Sequence, residues 1–158
     1  MTPRSRSSAT ITLDATSKAI IEQLQEDGRR AYATIGKAVG LSEAAVRQRV
    51  QRLVESGVVQ IVAVTDPMQV GFTRQAMIGI KCEGDLDTLA NTLADLPEVD
   101  YVVITAGGFD LLVEVVCEDD EHLLEVLNTK IRALPGVHGT ETFVYLKLRK
   151  QLYNWGTR

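Results

Sequence analysis

Apolar positions recur with a helical period from residue 13 onward, then change after about residue 72 to a mixture of alternating and helical runs. Asp14 is placed to cap a first helix whose Ile20, Ile21 and Leu24 share one face, with Gly28 closing it. A second, short helix is predicted over Tyr32 to Val39, where Ile35 and Val39 stand four apart. Gly40 follows it and supplies the left-handed geometry of a tight turn. Leu41-Ser42 opens a third helix, with Ser42 set to cap the amides of Ala44 and Ala45. This helix is predicted to run to Ser56, where Gly57 stops it. The stretch from Val58 to Val64 reads as β until Asp66-Pro67 breaks it.

The second half reads as strand, helix, strand, strand, helix, strand. The predicted strands are Arg74–Cys82, Tyr101–Thr105, Asp110–Cys117 and Thr140–Leu148. Ala76, Ile78, Ile80 and Cys82 share one face of the first, and Leu111, Val113, Val115 and Cys117 one face of the third. Between them, Leu86, Leu89, Ala90, Leu93 and Leu96 mark one amphipathic helix, and Leu123, Leu127, Ile131 and Leu134 another. An internal echo supports this division. Leu96-Pro97-Glu98-Val99 and Leu134-Pro135-Gly136-Val137 each sit where a helix hands over to a strand. Two such halves make one βαββαβ unit, a ferredoxin-like arrangement with both helices on one sheet face. The other face then needs a cover, and a second subunit is the natural one.

The resulting class is α+β. A flexible arm is expected at 1–12, a helix-turn-helix domain at 13–58, a β linker at 59–71, the ferredoxin-like domain at 72–150 and a C-terminal tail at 151–158. No apolar run approaches the roughly 20 residues of a membrane-spanning helix, and the first dozen residues lack a signal-peptide core. A cytoplasmic protein without membrane contact is the expectation. Cys82 and Cys117 are the only cysteines, with no CxxC spacing and no neighbouring histidine. They are expected to be buried, reduced thiols packing as small hydrophobes.

The net charge of −4 conceals an asymmetry. Residues 1–64 hold nine Lys/Arg against six Asp/Glu, a balance of +3; residues 65–158 hold eight against fifteen, a balance of −7. A polyanionic partner for the front half alone follows. On the third helix, Val50 and Leu53 fall within about 40° of Val46, taking 100° per residue. Ala44, Arg47, Gln48, Gln51 and Arg52 point broadly the other way, beside Ser42 and Glu43 at the helix start. Arg and Gln can reach base edges or phosphates, and a small alanine permits close approach to a groove. Arg47, Arg52 and the arm residues Arg4 and Arg6 are the candidate phosphate contacts of double-stranded DNA. Arg49 lies nearer the apolar edge, so a buried ion pair, for instance with Asp14, competes with a DNA contact. An amphipathic surface helix with solvated charges is the plainer alternative for the whole segment.

These residues resemble the Lrp/AsnC (feast/famine) family of transcriptional regulators. The resemblance is carried by Leu13-Asp14, Ile20-Ile21, Asp27-Gly28-Arg29, Val39-Gly40-Leu41-Ser42, the run Val46 to Leu53 and Gly57-Val58-Val59. Gly107-Gly108-Phe109-Asp110, the Leu111–Val115 strand and the Thr140–Leu148 strand carry it in the second half. Ser17 stands where such proteins commonly have an acidic residue, which bears on how Arg49 is paired. The resemblance implies a winged-type helix-turn-helix, a β linker, a ligand-binding βαββαβ domain, and dimers that assemble further, often to octamers. It also implies an amino-acid effector bound between dimers near the loop Thr105-Ala106-Gly107-Gly108-Phe109-Asp110, and no other cofactor.

The chemistry of that loop is compatible. Gly107 and Gly108 can present backbone amides to a carboxylate, Asp110 can accept from an ammonium group, and Thr140 and Thr142 are weaker additions. The competing reading makes Gly107-Gly108 a plain hairpin turn. An enzyme is disfavoured. His122 and His138 have no adjacent nucleophile, Asp119-Asp120-Glu121 suits a helix N-terminus, and no P-loop, dinucleotide fingerprint or metal-ligand set occurs. An oligomeric amino-acid-sensing module that does not touch DNA is the other alternative; the basic arm and the Arg/Gln face speak against it.

Overall fold

Asp14 caps the first helix, its carboxylate accepting from the Ser17 amide at 2.7 Å at the start of α1 (Ala15–Glu26). The structure, a computed structural model, describes residues 12–158. It divides into two compact units: Thr65–Arg149, and the N-terminal stretch to Val64 together with Lys150–Arg158.

In the N-terminal unit α1 is followed by α2 (Tyr32–Val39) and α3 (Glu43–Glu55). Gly40 takes φ 72°, the left-handed value its position requires. Ser42 Oγ accepts from the Ala45 amide at 3.3 Å but not from Ala44, because Ala45 occupies the third helical position that an N-cap side chain reaches. At the far end Gly57 is again left-handed, and the amides of Val58 and Val59 fold back onto the Leu53 carbonyl. Ile20, Ile35 and Val46 are fully buried, with Leu24 and Val50 against them, so α1, α2 and α3 share one small core. Gly36 is part of the turn's construction, because a Cβ there would stand 2.5 Å from the Leu41 carbonyl oxygen. Its poor helix propensity is therefore offset by the close approach it allows. The tail returns to this unit. Gly156 N–H donates to Gln25 Oε1 at 3.0 Å, and the Thr157 hydroxyl donates to Glu22 Oε1 at 2.6 Å.

The C-terminal unit follows the order β1 (Arg74–Cys82), α4 (Leu86–Ala94), β2 (Val99–Ile104), β3 (Leu111–Cys117), α5 (Asp120–Glu125), β4 (Val137–Val144). The sheet order is β2-β3-β1-β4, with each neighbouring pair antiparallel, as a ferredoxin-like βαββαβ unit demands. Ala76, Ile78, Ile80, Leu111, Val113 and Val115 are fully buried on one face beneath the helices, where Leu93, Val126 and Ile131 complete the core. Cys82 and Cys117 are buried free thiols in this layer, and burial pushes both thiols up from their ordinary values. The opposite face carries Met77, Gly79, Tyr101, Glu114 and Phe143, and neither α4 nor α5 of this unit packs on it. No helix among the described residues is long and apolar enough to cross a membrane.

Three expectations need correction. The linker expected as β at 59–71 forms no strand, and neither does the stretch from Val58. An extended chain needs a ladder partner, and no strand among the described residues pairs with it; Val62 and Val64 stay more than half exposed. The only regular turn there is a 3₁₀ helix at Pro67–Gln69, capped by Asp66. No β wing therefore accompanies the helix-turn-helix among the described residues. The last strand runs Val137–Val144 rather than Thr140–Leu148. Its partner β1 starts at Arg74, so one further bond, Tyr145 N–H to Gln75 O, uses up the available edge. The second helix of this unit, expected to keep α spacing from Leu123 to Leu134, instead widens to a π-helical stretch at Val126–Ile131. The Arg132 amide accordingly reaches back five residues to the Leu127 carbonyl.

Candidate nucleic-acid interface and effector loop

The inner face of α3 is fixed by Val46, Val50 and Leu53, all buried at the spacing of one helical stripe. The outer face follows from that rotation. Ala44, Arg47, Gln48, Gln51 and Arg52 are all exposed, and so are Ser42 and Glu43 at the start. Within this set the side chains differ. Arg47 is held by Glu43 at 2.7 Å and lies over the Tyr32 ring at 5.4 Å from its centre. Gln51 donates to Glu55 Oε1 at 2.8 Å. No hydrogen bond or ion pair among the described residues engages the side chains of Gln48 or Arg52. Arg4 and Arg6 lie outside the described residues.

Arg49 points elsewhere. Its Nη1 reaches Asp14 Oδ2 at 2.7 Å and Ser17 Oγ at 3.1 Å, so α3 is tied to the N-terminus of α1. The ion pair is half-exposed rather than buried, and Ser17 joins it as a hydroxyl acceptor. Bonds from the Ser17 hydroxyl and amide, then from Arg49, hold the Asp14 carboxyl down at about 2.

At the end of β2 the candidate effector loop closes on itself. The Thr105 hydroxyl donates to the Phe109 carbonyl at 2.6 Å, and the Thr105 amide donates to Asp110 O at 2.9 Å. Asp110 is anchored to β1, its amide donating to Ile80 O and its Oδ2 accepting from the Cys82 amide, both at 2.9 Å. Its Oδ1 has no hydrogen-bond partner among the described residues. Ala106, Gly107 and Gly108 are exposed. Neither glycine has a positive φ, and an added Cβ at either would meet nothing. A tight hairpin turn in its usual form would have required the left-handed region. Inside this chain nothing demands glycine at these two positions.

Thr140 and Thr142 are set apart from the loop. They pair with Ile80 and Ile78 on the helix-covered face of edge strand β4, and Thr140 Oγ1 accepts from Arg132 Nε at 2.9 Å. What lies against the loop is a residue absent from the candidate set, Gly79. A Cβ at Gly79 would come within 2.7 Å of the Phe109 ring, which therefore sits on the helix-free face. There it meets Phe143 edge to face, with ring centres 6.2 Å apart. A lone glycine amid the apolar β1 residues Met77-Ile78-Gly79-Ile80 was the available signal, because such a glycine marks close approach of another group.

Comparison with known proteins matches both units. The AsnC-type helix-turn-helix domain matches residues 13–54, and the C-terminal dimeric α+β barrel domain of AsnC-type regulators matches residues 72–158. The HTH-type transcriptional regulator FL11 of Pyrococcus horikoshii is 36% identical over 143 residues, covering 89% of this chain and 94% of the relative. The proline dehydrogenase transcriptional activator of Rhizobium radiobacter is 34% identical over 137 residues, covering 84% and 88%. Among solved structures, AsnC of E. coli superposes with a TM-score of 0.76 at 26% identity, covering 90% of this chain and 98% of that one. A Neisseria meningitidis transcriptional regulator solved in complex with L-methionine gives a TM-score of 0.76 at 26% identity, covering 90% and 96%. These relatives are transcriptional regulators, not enzymes.

The Asp14 carboxyl is held low only in the folded chain, so its stabilisation is complete above its unfolded value, near 3.8, and is lost as pH falls toward 2. Thermal denaturation between pH 5 and 2 should show this loss, and Asp14→Asn should flatten it; an unchanged pH profile in that variant contradicts the assignment. Gly79→Ala should destabilise the protein while Phe109 is present and become neutral in a Phe109→Ala background. The coupling expected is about 1 kcal/mol or more. Additive losses in that double-mutant cycle would show that the ring does not rest on Gly79.

Proposed function

Because this chain belongs to the AsnC/Lrp family of transcriptional regulators, we propose that it binds double-stranded DNA sequence-specifically through α3 and answers to an amino-acid effector. The observation that carries the DNA-binding half is the unengaged outer surface of α3. Gln48 and Arg52 are exposed and have no partner among the described residues, while the same helix is locked from behind by Val46, Val50 and Leu53. A rigid helix presenting Gln and Arg beside the small Ala44 suits a major groove, with the arginines on phosphates and glutamine on a base edge. Arg47 reaches the duplex from a posture set by Glu43 and Tyr32. Arg49 serves the fold instead.

The effector half rests on the loop Thr105 to Asp110. Gly107 and Gly108 lack any internal reason to be glycine, as expected of residues that something outside the chain approaches closely. Asp110 keeps one carboxylate oxygen for an ammonium group while the other is fixed by Cys82. Thr140 and Thr142 form no hydrogen bond with this loop among the described residues, and they would join the site as additional polar groups. The ligand-bound Neisseria relative supports an amino acid as the chemical class. Dimers would form through the helix-free sheet face and assemble further, with octamers as the expected end point and the effector held between dimers. Effector binding would then shift DNA occupancy by biasing that assembly. The expected setting is the cytoplasm.

Fluorescence anisotropy with duplex DNA at 50 and 200 mM salt tests the first half. Affinity should fall steeply with salt, and Arg52→Ala should lower the log–log slope by about 1. Gln48→Ala should cost on the order of 1–3 kcal/mol on a preferred sequence. Absence of binding at both salts would favour the DNA-free sensing module. A thermal-shift series with the amino acids tests the second half. Gly108→Asp should abolish the stabilising response while leaving DNA affinity intact, and a full response in that variant would remove the loop from the site.

A further inference from the structure

Glu98 belongs to neither the DNA-binding surface nor the effector loop. It follows Pro97 at the entry to β2, and its side chain is 90% buried. Its Oε1 is crowded with donors: Lys130 Nζ stands 2.6 Å away and His122 Nε2 3.5 Å away. His122 Nδ1 accepts the Glu118 amide at 3.3 Å, so the ring proton is on Nε2 and faces Glu98. Oε2, by contrast, is buried and has no hydrogen-bond partner among the described residues. Burial disfavours the charged form, but Lys130, the backbone N–H of Glu98 itself and His122 together outweigh it and hold the Glu98 carboxyl below its usual value. A buried, ionised oxygen without a donor is a costly arrangement that native structures seldom keep without a use.

Glu98 lines a cavity of about 370 Å³ at the start of β2, and every residue around that cavity belongs to the C-terminal unit. Its apolar walls are built largely from Pro67, Val70, Phe72, Pro97 and Val116. The two prolines have no N–H and the other three side chains are hydrocarbon, so none of these side chains supplies Oε2 with a donor. Asp100 adds a second carboxylate to the lining, and His122 is the only basic group there. β2 separates this cavity from the Thr105–Asp110 loop by its whole length, roughly 17 Å of extended chain. The two places are different ends of the sheet.

We propose that this cavity is a second ligand site, selective for a small organic ammonium with a compact apolar body and no carboxylate. The ammonium would donate to Glu98 Oε2, opened to the cavity by a small side-chain rotation, with Asp100 adding to the negative field. The hydrocarbon would lie between Phe72, Val70 and Val116. A free amino acid is disfavoured because its carboxylate would face Glu98 and Asp100 with no arginine or lysine in the lining. The proposal reaches beyond the amino-acid effector reading and does not depend on it.

The test is calorimetric titration of the full-length protein with 2-phenylethylamine, L-phenylalanine and 3-phenylpropionate, with Val116 and Val70 methyl resonances followed in parallel. The amine should bind at least tenfold more tightly than either carboxylate-bearing probe and should shift both methyl groups. Glu98→Gln keeps an acceptor for Lys130 but places no charge on the cavity, and should weaken the amine at least tenfold. Val70→Trp, at an exposed rim position, fills the cavity without touching the carboxylate and should weaken it similarly, which keeps the test decisive if the Glu98→Gln variant folds poorly. Gly108→Asp should leave amine binding unchanged. Equal binding of L-phenylalanine and the amine, or undiminished amine binding in folded Val70→Trp, would overturn the proposal.

Discussion

The burial of one face of α3 is the constraint on which the DNA-facing surface depends. Ile20, Ile35 and Val46 are fully buried and Val50 nearly so. Each such side chain contributes about 1.5–3 kcal/mol of transfer free energy. The ion pairs around them are exposed or half-exposed and screened by solvent, so they contribute far less. Packing therefore sets the rotation of α3, and the charges adapt to it. Arg49 happens to fall on the flank that reaches Asp14 and Ser17, and so becomes a strut between α3 and α1. Gln48 and Arg52 fall on the side away from the core. The same rotation that buries Val50 leaves them outside.

In the second unit a comparable asymmetry governs the sheet. The helices cover only the face bearing Ile78, Ile80, Val113 and Val115, which leaves Tyr101 and Phe143 about half exposed on the other. The matching family model describes this domain as a dimeric barrel, and we propose that a second copy covers this face. Phe109 brings the loop after β2 into this arrangement, because its ring rests on Gly79 and against Phe143. An event at the loop therefore touches the helix-free face directly, without any long chain of intermediates.

Much of this was legible in the sequence because helix and strand periods are long-range averages. The bounds of β1 and α2, the Gly40 turn and the Asp14 and Ser42 caps follow from local chemistry, and the structure keeps them. The Asp14–Arg49 pair was legible as one of two options, since Arg49 sat near the edge of the apolar stripe. The errors share a physical origin. Val58–Val64 and Tyr145–Leu148 have strand composition, yet strands exist only where a partner edge is offered, and composition carries no register. The π-helical stretch after Glu125 was invisible because Leu123, Leu127 and Ile131 fit the α period by themselves. Gly79 and Phe109 were not connected because their contact depends on the β1–β3 register. The orphaned oxygen of Glu98 needed three elements to be placed before it could be noticed.

The central claim is that the solvent side of α3 enters a duplex groove, and site-directed photo-cross-linking addresses it most directly. A thiol placed by Gln48→Cys and labelled with a photoreactive group should cross-link to bases of bound duplex DNA. The native Cys82 and Cys117 are buried and should remain unlabelled. The same label placed by Glu121→Cys, in the other unit, should give no cross-link. The account is contradicted if position 48 yields none under conditions where the protein is bound, or if position 121 cross-links as efficiently.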